Sequence, residues 1–231
     1  NLWHYFIIIL FMDYKKFSLF TAIFSLFFAA FLLSGCSKPG DSIVSDGMNA
    51  LKKQNYDSAI SSFNEALQTD TNYSDELIFT LLAAAYTQKN DFDSAILYHQ
   101  KALSKRKDYS SYILLAVLLE QKNRTDEAKQ TYRDAISFAP KRPEAYGSLG
   151  ALELKSGNIK GAIELLEKSA ALNDRIGVVQ GDLAIAYAQN GEREKALNAL
   201  ENAEKLKTDD IEAFRARVLS ALGEGNALPA V

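Results

Sequence analysis

Of the residue types that do covalent or metal chemistry, this 231-residue chain has one cysteine, Cys36, and two histidines, His4 and His99. One thiol excludes an intrachain disulfide and any zinc or iron–sulfur site built on several cysteines. Two histidines leave neither a His-rich metal site nor a Ser-His-Asp arrangement in prospect. The closest carboxylate pairs, Glu164/Glu167 and Glu201/Glu204, lie at i, i+3 opposite an apolar stripe, where solvated surface is expected. There is no Gly-rich phosphate loop, HExxH or GxSxG. The expectation is a protein that is not an enzyme and holds no metal or cofactor. The net charge is −3, and the densest basic run, Lys105-Arg106-Lys107, is closed by Asp108, so no nucleic-acid partner is expected. The thiol of Cys36 remains as the one candidate for covalent chemistry.

The segment that positions that thiol is apolar. Residues 17–33 (FSLFTAIFSLFFAAFLL) carry no charge, follow Lys15 and Lys16, and run into Leu33-Ser34-Gly35-Cys36. A basic start, an apolar centre and small residues at the end are the pattern of a secretory signal peptide. An uncleaved membrane-spanning helix is the alternative, because some 17 to 20 apolar residues also suffice for that. Residues 1–11 (NLWHYFIIILF) precede Met12 and read as upstream sequence outside the native chain; residues 12–35 read as the signal. Leu-Ser-Gly-Cys resembles the bacterial lipobox. That resemblance implies cleavage before Cys36 and acylation of its thiol, giving an anchor in the lipid bilayer. Residues 36–40 then form a short tether, and the mature chain faces the periplasm from the outer membrane if the organism has two membranes.

From residue 41 the chain repeats itself. NYDSAISSFNEAL, DFDSAILYHQKAL, RTDEAKQTYRDAI, NIKGAIELLEKSA and EREKALNALENAE share one pattern anchored by Ala59, Ala95, Ala128, Ala162 and Ala196, at spacings of 36, 33, 34 and 34. A second stretch precedes each (FTLLAAAYTQ, YILLAVLLEQ, YGSLGALELK, GDLAIAYAQN), also apolar at three- and four-residue intervals, so each unit is a pair of amphipathic helices. The turns are short and polar. Gly157 and Gly191 suit the left-handed position that ends a helix, and Asn55, Asp91 and Asn158 suit N-caps. His99 falls at an aromatic position of the pattern and is expected in the core.

These units resemble the tetratricopeptide repeat (TPR) family. Residues 143–176 supply Tyr146, Leu149, Gly150, Gly157 and Ala162 in register, and 109–142 supply Tyr112, Leu115, Ala116, Ala128, Tyr132, Ala135 and Pro140. Units at 177–210, 76–109 and, more weakly, 40–73 follow the same pattern, with Asp46 and Glu153 departing from it. The resemblance implies an all-α, right-handed superhelical solenoid of about five helix pairs across 41–222. Residues 211–222 would form a C-terminal capping helix, and 223–231 a disordered tail.

The resemblance also implies a partner-binding groove lined by the fifth and ninth positions of each first helix. Here these are Val44, Met48, Thr80, Ala84, Ile113, Val117, Gly147, Ala151, Gly181 and Ile185. None is charged, so the expected trough is apolar, deepened by Gly147 and Gly181, and suited to a protein or peptide segment. If some of these residues pack internally, or the cap helix covers them, the trough is smaller. A lipid-anchored TPR protein is similar to bacterial lipoproteins that assist pilus or outer-membrane assembly or serve as protease adaptors, which makes an envelope scaffold the leading expectation. A self-associating repeat protein (a homo-oligomer) and a substrate-capturing subunit of an envelope enzyme are the alternatives.

Overall fold

The computed structural model describes residues 37–224; Cys36, the apolar segment before it and residues 225–231 lie outside the described residues. Eleven helices make up the described chain: α1 (Pro39–Lys52), α2 (Tyr56–Ala66), α3 (Asp75–Gln88), α4 (Phe92–Lys105), α5 (Tyr109–Gln121), α6 (Thr125–Phe138), α7 (Pro143–Lys155), α8 (Ile159–Leu172), α9 (Gly177–Gln189), α10 (Arg193–Lys205) and α11 (Ile211–Ala221). They stack as five hairpins followed by α11, a superhelical array in which each pair packs chiefly on its neighbours.

The turn that closes each hairpin is built the same way five times. Gln54, Asn90, Asn123, Gly157 and Gly191 all take a left-handed backbone, with φ between 56° and 82°. The next N–H then reaches back to the carbonyl five residues earlier, as Asp91 does to Tyr86 at 2.9 Å and Glu192 to Tyr187 at 2.8 Å. This satisfies carbonyls that a helix end leaves without partners. At three turns a side chain then caps the second helix. Asn55, Asp91 and Asn158 accept from Ser58, Ser94 and Gly161 backbone N–H groups, each at 3.2 Å. All five anchor alanines are fully buried, because a methyl group is what the crossing of two close helices can hold.

The pattern's departures are accommodated locally. Glu153, on α7, is buried but accepts from Lys129 Nζ at 2.8 Å, Asn158 Nδ2 at 3.2 Å and Arg133 at 3.4 Å. Burial pushes its carboxyl up, and these donors together hold it below the ordinary range.

The tether expected over 36–40 is shorter than that reading. Helix α1 starts at Pro39, where proline's missing N–H costs nothing. The Gly40 N–H donates to the Asp70 carbonyl at 2.9 Å, and a Cβ on Gly40 would stand 2.7 Å from Thr71 Cβ. Asp41 accepts from Lys38 N (3.0 Å), Asn72 N (2.7 Å) and Thr71 Oγ1 (2.7 Å), tying the start of α1 to the loop after α2. Ser37 and Lys38 alone separate Cys36 from the first helix.

Candidate functional site: the face of the first helices

The ten expected groove residues divide into two groups. Val44 and Ile185 are wholly buried and present nothing to a partner. Gly147 and Gly181 are buried as well, and the space beside each is already filled. A Cβ on Gly147 would meet Val179 Cγ2 at 3.0 Å and Ser169 Oγ at 3.2 Å; one on Gly181 would meet the Phe214 ring at 2.6 Å. These glycines therefore admit intramolecular neighbours, and the trough is not deepened there. Met48, Thr80, Ala84, Ile113 and Ala151 are half-buried, and Val117 is 38% exposed.

The reason lies in phase. The fifth positions Val44, Gly147 and Gly181 and the ninth position Ile185 turn into the packing, while the ninth positions Met48, Ala84, Val117 and Ala151 keep part of their surface open. The outward stripe includes residues that spacing by fives and nines missed. Leu77 is 38% exposed and Leu114 50% exposed, and Val178 begins the same stripe on α9 at 52%. Leu77, Leu81 and Ala84 follow one another at i, i+4, i+7 on α3, and Leu114 and Val117 continue the stripe on α5. A signal for it was present: 113–119 reads ILLAVLL, more apolar residues than one buried face of a helix can use.

The stripe ends at α11. Inside the array each first helix packs on its own second helix and, across units, mainly on the preceding second helix, but α11 leans onto α9 and touches α10 much less. The lean begins at Lys207 and Asp210, both left-handed at φ 53° and 57°. Thr208, whose hydroxyl donates to the Ala203 carbonyl at 2.7 Å, holds the intervening turn. The roll seats Phe214 against Gly181 and buries Val218. Asp182 of α9 is half-buried in this region, and burial pushes its carboxyl up to about 6, offset in part by the charge of Arg217.

Other residues singled out by type are structural. His99 is 2% exposed on α4, its Nδ1 has no hydrogen-bond partner, and burial lowers it to about 4. Glu201 and Glu204 are exposed and pair with Lys205 and Arg215 at 2.6 Å each. Glu167 accepts the Tyr187 hydroxyl at 2.6 Å.

Family models described as tetratricopeptide repeat match residues 46–111, 86–152 and 153–218. A TPR repeat-containing protein of Methanocaldococcus jannaschii is 25% identical over 195 residues, covering 75% of this chain and 34% of its own length; the chain spans about a third of that relative. Among solved structures, a TPR protein of Parabacteroides merdae superposes with a TM-score of 0.71 at 17% identity, over 80% of this chain and 74% of the other. MamA does so at 0.65 and 20%, over 75% and 94%. YrrB, described as a TPR protein with an unusual peptide-binding site, does so at 0.63 and 18%, over 76% and 90%. At these identities the likeness is one of fold.

Proposed function

We propose a function from one premise: the chain belongs to the tetratricopeptide repeat family. It serves as a protein-binding scaffold, and its working surface is the exposed stripe on the first helices. The observation that carries this reading is Leu77, Leu114 and Val117 standing between about two-fifths and one-half exposed on the first helices of two consecutive units. Contiguous apolar surface of this kind marks a binding site. Its shape suits an apolar helix or extended segment laid along the array.

The scaffold works at a membrane of the bacterial cell envelope, in assembly of a pilus or outer-membrane complex. Cys36 is its acylated N-terminus, and the two residues before α1 keep the solenoid at the bilayer surface. Held there, the stripe meets a membrane-bound partner at high effective concentration. The lipobox resemblance and the apolar run ahead of it support the anchor; the peptide site named for YrrB supports the kind of partner.

The test is a crosslinked pull-down from detergent-solubilised membranes with Leu114→Asp/Val117→Asp against the unaltered chain. Both side chains reach the surface, so folding should persist with about 1 to 2 kcal/mol lost, and the specific partner should disappear. Equal recovery of that partner by the folded double variant would refute the stripe. Independently, Cys36→Ser should move the chain out of the membrane fraction.

A further inference from the structure

A cleft of about 290 Å³ lies between α8 and α10 with α9 as its floor, on a different face from the stripe. Its origin is visible when the units are laid in register. The fourth position of each unit holds a large apolar residue, Ile43, Phe79, Tyr112, Tyr146 and, on α11, Phe214; in the fifth unit it is Gln180. The twenty-third position holds Tyr98 in the second unit and Ala199 in the fifth. In the second unit these positions close the surface. The Tyr98 ring stacks on Tyr86 at 5.4 Å and 9°, and lies 6.1 Å from Phe79. Its hydroxyl donates to Asn64 Oδ1 at 3.4 Å, and Lys101 sits 4.7 Å over it.

The fifth unit keeps the frame and lacks the ring. Tyr187 stands where Tyr86 does, Glu167 where Asn64 does, and Asn202 where Lys101 does, and all three line the cleft. Gln180 also lines it. That residue is 8% exposed.

We infer that this cleft receives the side chain of a tyrosine from a partner protein, supplying in trans the ring that Tyr98 supplies in cis. The ring stacks on Tyr187, offset, at the separation seen in the second unit. Its hydroxyl donates to Glu167 or accepts from the Gln180 or Asn202 carboxamide, which selects tyrosine over leucine. Lys195, whose ammonium lies 5.1 Å from the Tyr187 centroid, swings aside. That costs little, since its side chain is 59% exposed in a surface pair with Glu192. The volume is at the small end for ligand sites, room for one ring and not for an extended ligand.

The experiment uses the full chain in detergent micelles with N-acetyl-3-fluorotyrosinamide as the probe, read by its fluorine line width. The unaltered chain should broaden the line, N-acetyltyrosinamide should compete, and N-acetylleucinamide should not. Ala199→Tyr installs the ring of the second unit and should abolish broadening with the melting temperature kept or raised. Gln180→Phe fills the cleft from its floor and gives a second blocking variant where the first does not fold. No broadening by the unaltered chain, undiminished broadening by a folded blocking variant, or equal competition by the leucine amide would each overturn the proposal.

Discussion

Replacing His99 with phenylalanine removes a titratable group from the centre of the array without opening a cavity. Phe63 already occupies the corresponding place in the first unit, fully buried. Burial lowers the His99 imidazole from 6.5 to about 4. Above pH 6.5 the residue is neutral in both folded and unfolded chains, and its contribution to stability is complete. As the pH falls through the window from 6.5 to 4, the unfolded chain takes up a proton that the folded chain resists, and stability is lost. Below about pH 4 the loss levels off. The full difference of about 2.5 pKa units corresponds to roughly 3 kcal/mol, of which about 2 kcal/mol should be lost by pH 5. The assay is urea unfolding followed by circular dichroism at pH 7.5, 6 and 5 for the unaltered chain and His99→Phe. Carboxylates titrate alike in both, so the difference isolates the imidazole. At pH 7.5 the variant should be at least as stable, having lost an unpartnered Nδ1. A stability gap that stays constant from pH 7.5 to 5 would refute the reasoning.

Two other substitutions probe groups held away from their ordinary ionisation. Asp182, raised to about 6 by burial, costs stability as pH rises from 3.8 through 6. Asp182→Asn should therefore stabilise the fold by about 3 kcal/mol at pH 7.5, fading to nothing below pH 4, as thermal melts across that range would measure. Lys129→Met removes the closest of the three donors to the buried carboxylate of Glu153, whose side chain is 8% exposed. It should cost about 3 kcal/mol in urea unfolding at pH 7, and Glu153→Gln in the same chain should recover most of it.

The repeat period is local information, and it settled whatever depends on contacts within a pair of helices. Ala59, Ala95, Ala128, Ala162 and Ala196 are buried because helices joined by a short turn must cross at a fixed height, where a small residue belongs. Gly157 and Gly191 are left-handed because the helix must end there, whatever lies beyond. Family resemblance pointed to a groove on the first helices. It could not say which side chains stay open, because that depends on how far each unit rolls against the next. Val44 and Ile185 are closed by such packing, while Leu77 and Leu114 are left outside. The space at Gly181 was decided by Phe214, a residue 33 positions later on a helix whose lean follows from the left-handed turns at Lys207 and Asp210. The cleft at Gln180 likewise exists because two positions far apart in sequence, 180 and 199, are both too small to fill it. One sequence segment fixes how a helix is striped; only the assembled neighbours determine which part of the stripe meets water.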